Sequence, residues 1–200
     1  MKDQLLNIKV FVEPTFGENA LLVSIAGGAG RVGWAIDPSF KPHVDHLINQ
    51  ARDQGVTIEK IVLTHGHGDH IAGVDAVKAT FPQASVLIAA EDEPLLRDAE
   101  RNLSAPFGVD ISVKARVDQQ LVPGMELTLG ATRWLVLDTS GHSPGGRSLY
   151  CAQAGVVIVG DALFAGSIGR TDFPGSDHRQ LLDNIRLHLL TLPGNTVVYS

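Results

Sequence analysis

The sequence is poor in cysteine and in aromatic residues. Of 200 residues, one is Cys, two are Trp and two are Tyr, and aromatic residues make up 6% of the chain. The lone cysteine, Cys151, excludes an intramolecular disulfide and a CxxC zinc site. It lies in an apolar, strand-like run, so we expect it to be a small buried hydrophobe.

Long apolar runs are also missing. No stretch reaches the ~18 apolar residues of a membrane span, and the first five residues lack the apolar segment of a signal peptide. We therefore expect a cytoplasmic protein with no membrane partner.

There is no excess of positive charge. Sixteen Lys and Arg face 22 Asp and Glu, a formal net charge of −6, and the basic residues are scattered. Because binding to phosphate backbones needs a basic surface, nucleic acid is not an expected partner. A chain of 200 residues with 44% hydrophobic content suits one domain over residues 1–200. A domain this size folds without a metal, so any metal site should serve chemistry.

The hydrophobic pattern predicts two successive groups of strands and helices. The first group has strands at 8–13, 20–26 and 32–37 in an antiparallel meander, a helix at 42–54, a strand at 58–64, a helix at 71–80 and a strand at 86–89. A helix at 91–103 follows. The second group has strands at 125–129, 132–138, 148–152 and 156–160, with Pro123-Gly124 as a hairpin turn, then a helix at 178–190 capped by Asp177 and a strand at 195–200. This order predicts an α/β fold of two sheets packed face to face with helices outside, a four-layer αββα sandwich.

Residues 64–70, Thr-His-Gly-His-Gly-Asp-His, are the most informative in the chain. In an extended segment, residues two apart point to the same side, so His65 and His67 can converge on one metal ion. Asp69 and His70 then fall at the start of the next helix, where they can face a neighbouring position. A solvated polar turn would have a similar composition, but it would rarely be flanked by so apolar a strand and helix. The segment therefore predicts a metal site.

Two further candidate ligands follow later strands. His142 lies in the Gly/Pro-rich loop 139–146, and Asp161 follows an apolar strand. Binding residues often lie on loops held by rigid strands, although Asp161 alone is equally explained as a turn or helix cap. The other histidines are interpreted as surface residues, and Asp37 before Pro38 as a turn residue that ends a strand; these histidines are His43, His46, His178 and His188.

Three motifs together resemble the metallo-β-lactamase superfamily over nearly the whole chain. They are HxHxDH at 65–70, Gly-His-Ser-Pro-Gly-Gly at 141–146 and Gly-Asp-Ala-Leu-Phe at 160–164. Within that superfamily, the segment 163–175, with Gly-Arg-Thr-Asp-Phe at 169–173, is similar to the compact glyoxalase II-like (hydroxyacylglutathione hydrolase-like) thioester hydrolases.

The resemblance implies an αββα sandwich with two metal positions at the sheet edge. His65, His67 and His142 would hold the first metal, Asp69 and His70 the second, and Asp161 would bridge them. The ions would be divalent zinc, with iron or manganese as alternatives, and Asp69 is also assigned a catalytic role. The family adds one more histidine after the last strand. The sequence ends at Ser200, so we expect this domain to lack its C-terminal ligand turn and helix, and His188 does not replace that ligand.

Such a site suggests hydrolysis. Two metals about 3.5 Å apart that share a water would bring its pKa from about 15.7 to near 7, and the resulting hydroxide would attack an acyl carbonyl. A thiolate, with a pKa near 8.5 for its thiol, departs without protonation, whereas an amide nitrogen does not. We therefore predict a thioester hydrolase with a small-molecule substrate. By resemblance, the substrates are glutathione thioesters such as S-lactoylglutathione.

Other activities stay open. In a mononuclear iron persulfide dioxygenase, iron would be held by His65, His142 and Asp161, two histidines and one carboxylate. Ser167-Ile168 favours the compact hydrolases instead. A lactonase of the same fold and a non-catalytic binding protein are further alternatives. A β-lactamase with a cysteine ligand is disfavoured because Asp161 occupies the equivalent place. The sequence does not indicate an oligomeric state.

Overall fold

The structure is a computed structural model that describes residues 6–28 and 30–200, and it contains two large β-sheets. The first sheet has six strands in the order β1 to β6: β1 (Asn7–Val12), β2 (Asn19–Gly27), β3 (Gly30–Ile36), β4 (Val56–Val62), β5 (Ser85–Ile88) and β6 (Gln119–Gln120). The first three strands are antiparallel, as predicted, and β3 to β6 run parallel. The parallel strands matter for function because their carboxyl ends meet at one edge of the sheet.

The second sheet contains most of the later strands. Its order is β13-β10-β9-β8-β7, with β7 (Glu126–Leu129), β8 (Thr132–Asp138), β9 (Arg147–Cys151), β10 (Val156–Ile158) and β13 (Val197–Tyr199). Neighbours are antiparallel except β10 and β13. A separate hairpin consists of β11 (Leu163–Phe164) and β12 (Ser167–Ile168).

Helices cover the outer faces of both sheets. The helices are α1 (His43–Asp53), α2 (Gly68–Ile71), α3 (Val74–Thr80) and α4 (His178–Asn184), which continues into a π-helical turn at Ile185–Leu189. The α1 stripe of Val44, Leu47, Ile48 and Ala51 is buried against the first sheet. Leu181 of α4 packs on the second sheet, and Asp177 caps this helix through the backbone N–H of Gln180.

The core between the sheets contains both tryptophans. The rings of Trp34 and Trp134 lie 5.7 Å apart and both side chains are fully buried, as is Cys151. Separate apolar clusters lie between each sheet and its own helices. The predicted four-layer αββα sandwich is thus confirmed. Within the described ranges, no helix is both long and apolar enough to cross a membrane.

The predicted helix at 91–103 is wrong. Only Glu93–Arg97 forms a short 3₁₀ helix, and turns follow it. The Asp98 side chain accepts hydrogen bonds from the backbone N–H groups of Glu100 and Arg101, and such local side-chain bonds compete with helix formation. Apolar spacing alone did not reveal this competition.

Two smaller predictions also need correction. The predicted helix at 71–80 is divided at Gly73 into α2 and α3, where a Cβ on Gly73 would lie 2.6 Å from the backbone oxygen of Ser39. Pro123-Gly124 is not a hairpin turn between paired strands. It connects β6 of the first sheet to β7 of the second, and the β7–β8 hairpin turns at Gly130, where φ is 55°.

Candidate metal centre

The six predicted site residues converge at the edge of the two sheets. The loop after β4 contributes two of them, α2 contributes two, and the loop after β8 and the turn after β10 contribute one each: His65 and His67, Asp69 and His70, His142, and Asp161. The four histidines interpreted as surface residues lie elsewhere, on α1 and on the C-terminal helix. The fold therefore brings together residues up to 96 positions apart in the chain (161 − 65).

Three buried histidines form the first part of the cluster. His65, His67 and His142 each offer a ring nitrogen, and these atoms all lie within 4.8 Å of one another. His67 Nδ1 and His142 Nε2 face each other at 2.9 Å. His65 Nε2 is buried and finds no hydrogen-bond partner among the described residues. A buried polar atom without a partner is costly, so these nitrogens fit a metal ion that would accept all three.

The carboxylates form the second part. Asp161 lies between two histidines, with Oδ1 3.3 Å from His70 Nε2 and Oδ2 3.5 Å from His142 Nε2. Asp69 Oδ2 lies 3.9 Å from His70 Nε2. Asp161 thus lies within 3.5 Å of both His70 and His142 and connects the two parts of the cluster.

The hydrogen bonds behind the histidines fix which ring nitrogen carries a lone pair. His142 Nδ1 lies 2.7 Å from the carbonyl oxygen of Arg170, so it must donate, and its Nε2 stays free to bind a metal. Thr64 Oγ1 donates to Asp37 at 2.5 Å and therefore accepts from His65 Nδ1 at 3.1 Å. His65 Nε2, like His142 Nε2, then presents a lone pair to the cluster.

Asp37 is a site residue that the sequence interpretation missed. It does end β3, with φ 46°, but its carboxylate is buried and accepts from the backbone N–H of Thr64 at 2.7 Å and from His70 Nδ1 at 3.0 Å. A signal was available: β3 and β4 are neighbouring parallel strands, so Asp37 and Thr64 follow strand ends at one edge. Asp37 orients two of the candidate ligands.

Asp92 is a second missed residue. Its side chain is fully buried and accepts from the backbone N–H of Gly66 at 2.9 Å and of Gly145 at 2.6 Å. It therefore joins the loop that carries His65 to the loop that carries His142. A Cβ on Gly145 would lie 2.6 Å from Asp92 Cγ, which explains the glycine. The local sequence pattern does not predict that Asp92 links these two loops, because it predicts a helix for this segment.

The electrostatics favour a bound cation. Burial, reinforced by His70, holds the pKa of His65 well below its ordinary value, and burial with His142 lowers that of His67 to about 3. Burial opposes ionisation of Asp161, but His70 and His142 outweigh it and lower its pKa to about 2. Metal ligands must be neutral imidazoles or ionised carboxylates, and these three groups are in that state at neutral pH.

The raised pKa of His70 shows that carboxylates surround this histidine. Burial lowers the pKa of His70, but the carboxylates of Asp69, Asp161 and Asp37 outweigh it and raise that pKa well above its ordinary value. Burial raises the pKa of Asp69. A divalent cation would compensate this group of carboxylates in place of the proton.

A cavity of about 220 Å³ opens onto the cluster. Its lining includes four candidate ligands, which are His67, Asp69, His142 and Asp161. The rest of the lining is largely apolar and includes Phe16, Phe40, Leu103, Phe107, Val109 and Phe173, and the Phe173 ring lies 5.7 Å from that of His67. Arg170 also lines the cavity and stacks on the Phe173 ring at 4.3 Å. The sequence interpretation did not single out these aromatic residues as a group. They lie in separate segments, and no motif joins them.

Fold and site together define a class: αββα proteins with a histidine and carboxylate metal centre at the sheet edge. The profile of the metallo-beta-lactamase superfamily matches residues 25–200, and the chain belongs to this superfamily. It is 40% identical over 157 residues to a probable metallo-hydrolase, YqgX, of Bacillus subtilis, which covers 78% of this chain and 74% of that protein. It is 28% identical over 198 residues to the hydroxyacylglutathione hydrolase GloC of Haemophilus influenzae, covering 98% of this chain and 90% of that protein.

Solved structures agree with the family. BLEG-1, described as a B3 metallo-beta-lactamase, superposes with a TM-score of 0.86 at 33% identity, covering 97% of this chain and 90% of that one. TTHA1623, solved in a di-iron-bound form, superposes with a TM-score of 0.76 at 32% identity, covering 92% and 86%. These comparisons confirm the superfamily and fold expected from the three motifs, and they support a metal-dependent hydrolase.

Proposed function

We propose that this protein is a metal-dependent thioester hydrolase, with glutathione thioesters such as S-lactoylglutathione as its reference substrates. The observation that carries the proposal is the cluster of His65, His67 and His142, whose donor atoms lie within 4.8 Å of one another beside a cavity of about 220 Å³. The hydroxyacylglutathione hydrolase activity named for GloC supports the choice of substrate.

The residues fit two divalent metal ions. His65, His67 and His142 would hold one ion, Asp69 and His70 would hold the other, and Asp161 would contact both. His65 Nε2, which has no hydrogen-bond partner among the described residues, supports this assignment. When bound, zinc, iron or manganese would lower the pKa of a coordinated water toward 7 and polarise a carbonyl oxygen. The di-iron form of TTHA1623 keeps iron among the candidates.

The chain's own side chains have separate tasks. Asp69 lines the cavity, so its carboxylate oxygen is placed to accept the proton of an attacking water. Asp37 holds the Nδ1 proton of His70, and the Arg170 carbonyl holds that of His142, so neither ring can rotate away. In this scheme Asp69 accepts a proton from water and is not available to donate one to the leaving group. A thiolate departs without a proton donor, so a thioester suits this site.

The proposal is tested by metal analysis together with a substrate panel. The purified protein should contain close to two divalent ions per chain and should hydrolyse S-lactoylglutathione faster than a lactone or a β-lactam, the latter chosen because of the similarity to BLEG-1. A single iron per chain with oxygen consumption on glutathione persulfide would instead establish a dioxygenase. Preferred β-lactam hydrolysis would also overturn the proposal.

The remaining expectations belong to the same proposal. They are one domain over residues 1–200, a cytoplasmic location, and a small-molecule thioester as the partner rather than a nucleic acid or a membrane. Fractionation of the natural host with an antibody against the chain tests the location.

A further inference from the structure

Part of the lining of the cavity is an aromatic wall formed by Phe16, Phe40 and Phe107. The ring of Phe16 lies 5.8 Å from that of Phe40 in a stacked arrangement and 5.1 Å from that of Phe107 in an edge-to-face arrangement. These phenylalanines lie 24 and 91 residues apart along the chain (40 − 16 and 107 − 16), so only the fold assembles them. Edge-to-face and stacked rings form a shaped apolar surface rather than a random patch.

This aromatic wall is not part of the packed core. Phe107 is 62% exposed, Phe16 is 41% exposed and Val109 is 40% exposed. Contiguous exposed apolar side chains are uncommon on monomers and mark binding sites. Here they line the same cavity as His67 and Asp161. A substrate bound beside the metal centre would therefore contact this apolar surface.

The polar side chains near this wall are already engaged. Asn102 donates to the carbonyl oxygens of Leu95 and Ile111 at 3.0 and 2.9 Å and accepts from the backbone N–H of Ser104. Ser104 Oγ accepts from the backbone N–H of Ile111 at 3.2 Å. These amide and hydroxyl groups therefore have little hydrogen-bonding capacity left for a polar substrate.

The cationic side chain of the lining is also paired. Arg170 donates two hydrogen bonds of 2.8 Å to the carboxylate of Asp172. Its planar face covers Phe173. An anionic substrate group would have to compete with Asp172 and would lie near Asp69 and Asp161. The wall thus favours an uncharged, apolar substrate group.

The size of the cavity limits that group. A cavity of about 150 Å³ is enough to bind benzene. The 220 Å³ observed here accommodates one aromatic ring and a short link to a carbonyl next to the metal centre. A ring also matches the stacked and edge-to-face geometry of the wall better than a flexible chain does.

We propose that this cavity selects thioesters with a flat apolar substituent, an aryl or arylalkyl group, next to the scissile carbonyl. The inference rests on the proposed thioester hydrolysis and narrows it. Water cleaves the carbonyl–sulfur bond, and the products are a carboxylic acid and a free thiol, one of which carries the aryl or arylalkyl group. The apolar group is carried either by the acyl part or by the thiol part, and the experiment separates the two.

The test compares matched thioesters on the metal-loaded protein. The substrates are S-acetyl and S-phenylacetyl N-acetylcysteamine, with S-benzyl thioacetate as the arm that carries the ring on the thiol side. We expect kcat/KM for at least one ring-bearing substrate to exceed that for the acetyl substrate by about 30-fold, the gain typical of burying a phenyl ring. The arm with the gain identifies which side of the carbonyl the wall holds. Equal kcat/KM for all three would overturn the inference and leave thioester hydrolysis intact.

A variant pair links the preference to the wall. Phe107→Ala should lower the ring-to-acetyl ratio about fivefold. Leu187→Ala is the matched control, because Leu187 is equally exposed at 63% but lies on the C-terminal helix. Its ratio should equal that of the unmodified protein. An equal change in both variants would overturn the role of the wall.

Binding measurements test the preference for a ring independently of thioester hydrolysis. Thioether analogues in which a methylene replaces the carbonyl cannot be hydrolysed. Calorimetry should show that the phenethyl analogue binds about tenfold more tightly than the ethyl analogue, and that Phe107→Ala removes most of this difference. If this result appears without hydrolysis of any thioester, the proposed function fails and the cavity preference stands. If the two analogues bind equally, the preference fails.

Discussion

The two walls of the cavity are built in opposite ways. On the metal side, a dense set of buried hydrogen bonds fixes the side chains: Asp37 binds Thr64 and His70, and Asp92 joins the loops of Gly66 and Gly145. On the aromatic wall, Phe107 is 62% exposed and Phe16 is 41% exposed, and their rings contact each other edge to face.

This difference separates what the chemistry requires from what the substrate requires. Buried hydrogen-bond networks are costly to disturb, because removal of one member leaves another unpaired in a low-dielectric interior. Exposed apolar side chains have no such partners, so they can change with small effects on folding. We therefore expect changes on the metal side to abolish function and changes on the aromatic wall to alter substrate choice.

The largest expected effect comes from removing a candidate ligand. His65→Ala should lower thioesterase activity by at least about 1,000-fold and reduce the metal content, because a metal held by fewer donors no longer activates water. Metal analysis and kinetic assays measure the two effects. His188→Ala is the control, since His188 lies in the π-helical turn of the C-terminal helix. Full metal content in His65→Ala, or loss of activity in His188→Ala, would show that the ligand assignment is wrong.

Asp37 tests the hydrogen bonds behind the ligands. Its Oδ2 accepts hydrogen bonds from both Thr64 Oγ1 and His70 Nδ1. An Asn side chain has one acceptor oxygen in place of the two oxygens of Asp37, so it cannot accept all of these hydrogen bonds. Asp37→Asn should weaken metal affinity by about 100-fold, in the range found for partners of metal ligands. Competition with a chelator measures it.

The control for Asp37→Asn is Asp118→Asn. Asp118 also accepts a backbone N–H, that of Val86 at 2.9 Å, but it lies away from the metal centre. Equal metal affinities in the two variants would contradict this prediction. The buried hydrogen bonds of Asp37 would then contribute no more to metal affinity than the peripheral hydrogen bond of Asp118.

Glu18 is a buried carboxylate near the metal side. Burial, which the charge of His70 only partly offsets, raises its pKa to about 9. A group with a raised folded-state pKa contributes stability that is complete below its unfolded-state pKa of 4.5 and is lost as the pH rises toward 9. Stability should therefore fall with pH because of Glu18.

The E18Q variant removes this titration. In protein treated with a chelator, the free energy of unfolding of E18Q relative to the unmodified chain should increase by about 1.4 kcal/mol per pH unit. The difference between pH 6 and 7.5 is then about 2 kcal/mol, measured by urea unfolding at each pH. A difference that is independent of pH would mean that Glu18 is ionised in the folded protein.

Four of the candidate ligands could be expected to lie together from the sequence because their pattern is local. His65, His67, Asp69 and His70 lie within six residues, and the spacing of two in an extended segment is enough to place the first pair together. The helix α1 followed from its apolar stripe for the same reason. Their metal-binding roles stay a prediction that metal analysis will decide.

The sequence did not reveal the residues whose partners are distant. Asp92 bonds to Gly145, 53 residues away, and its own segment has the apolar spacing of a helix that does not form. The contact between Phe16 and Phe107 joins the β1–β2 loop to the segment after β5 and depends on the tertiary structure. Such contacts depend on strand order and register, which local periodicity does not encode.

The smallest expected effect is on the stability of the aromatic wall. Phe16→Ala should lower the free energy of unfolding by less than about 1 kcal/mol, because an exposed ring loses little burial when it is truncated. Trp34→Ala, in the core between the sheets, should cost about 3–5 kcal/mol. Urea unfolding of both variants gives the comparison. A loss above about 2 kcal/mol for Phe16→Ala would show that these rings stabilise the fold, and their exposure beside the metal centre would then no longer argue for a substrate.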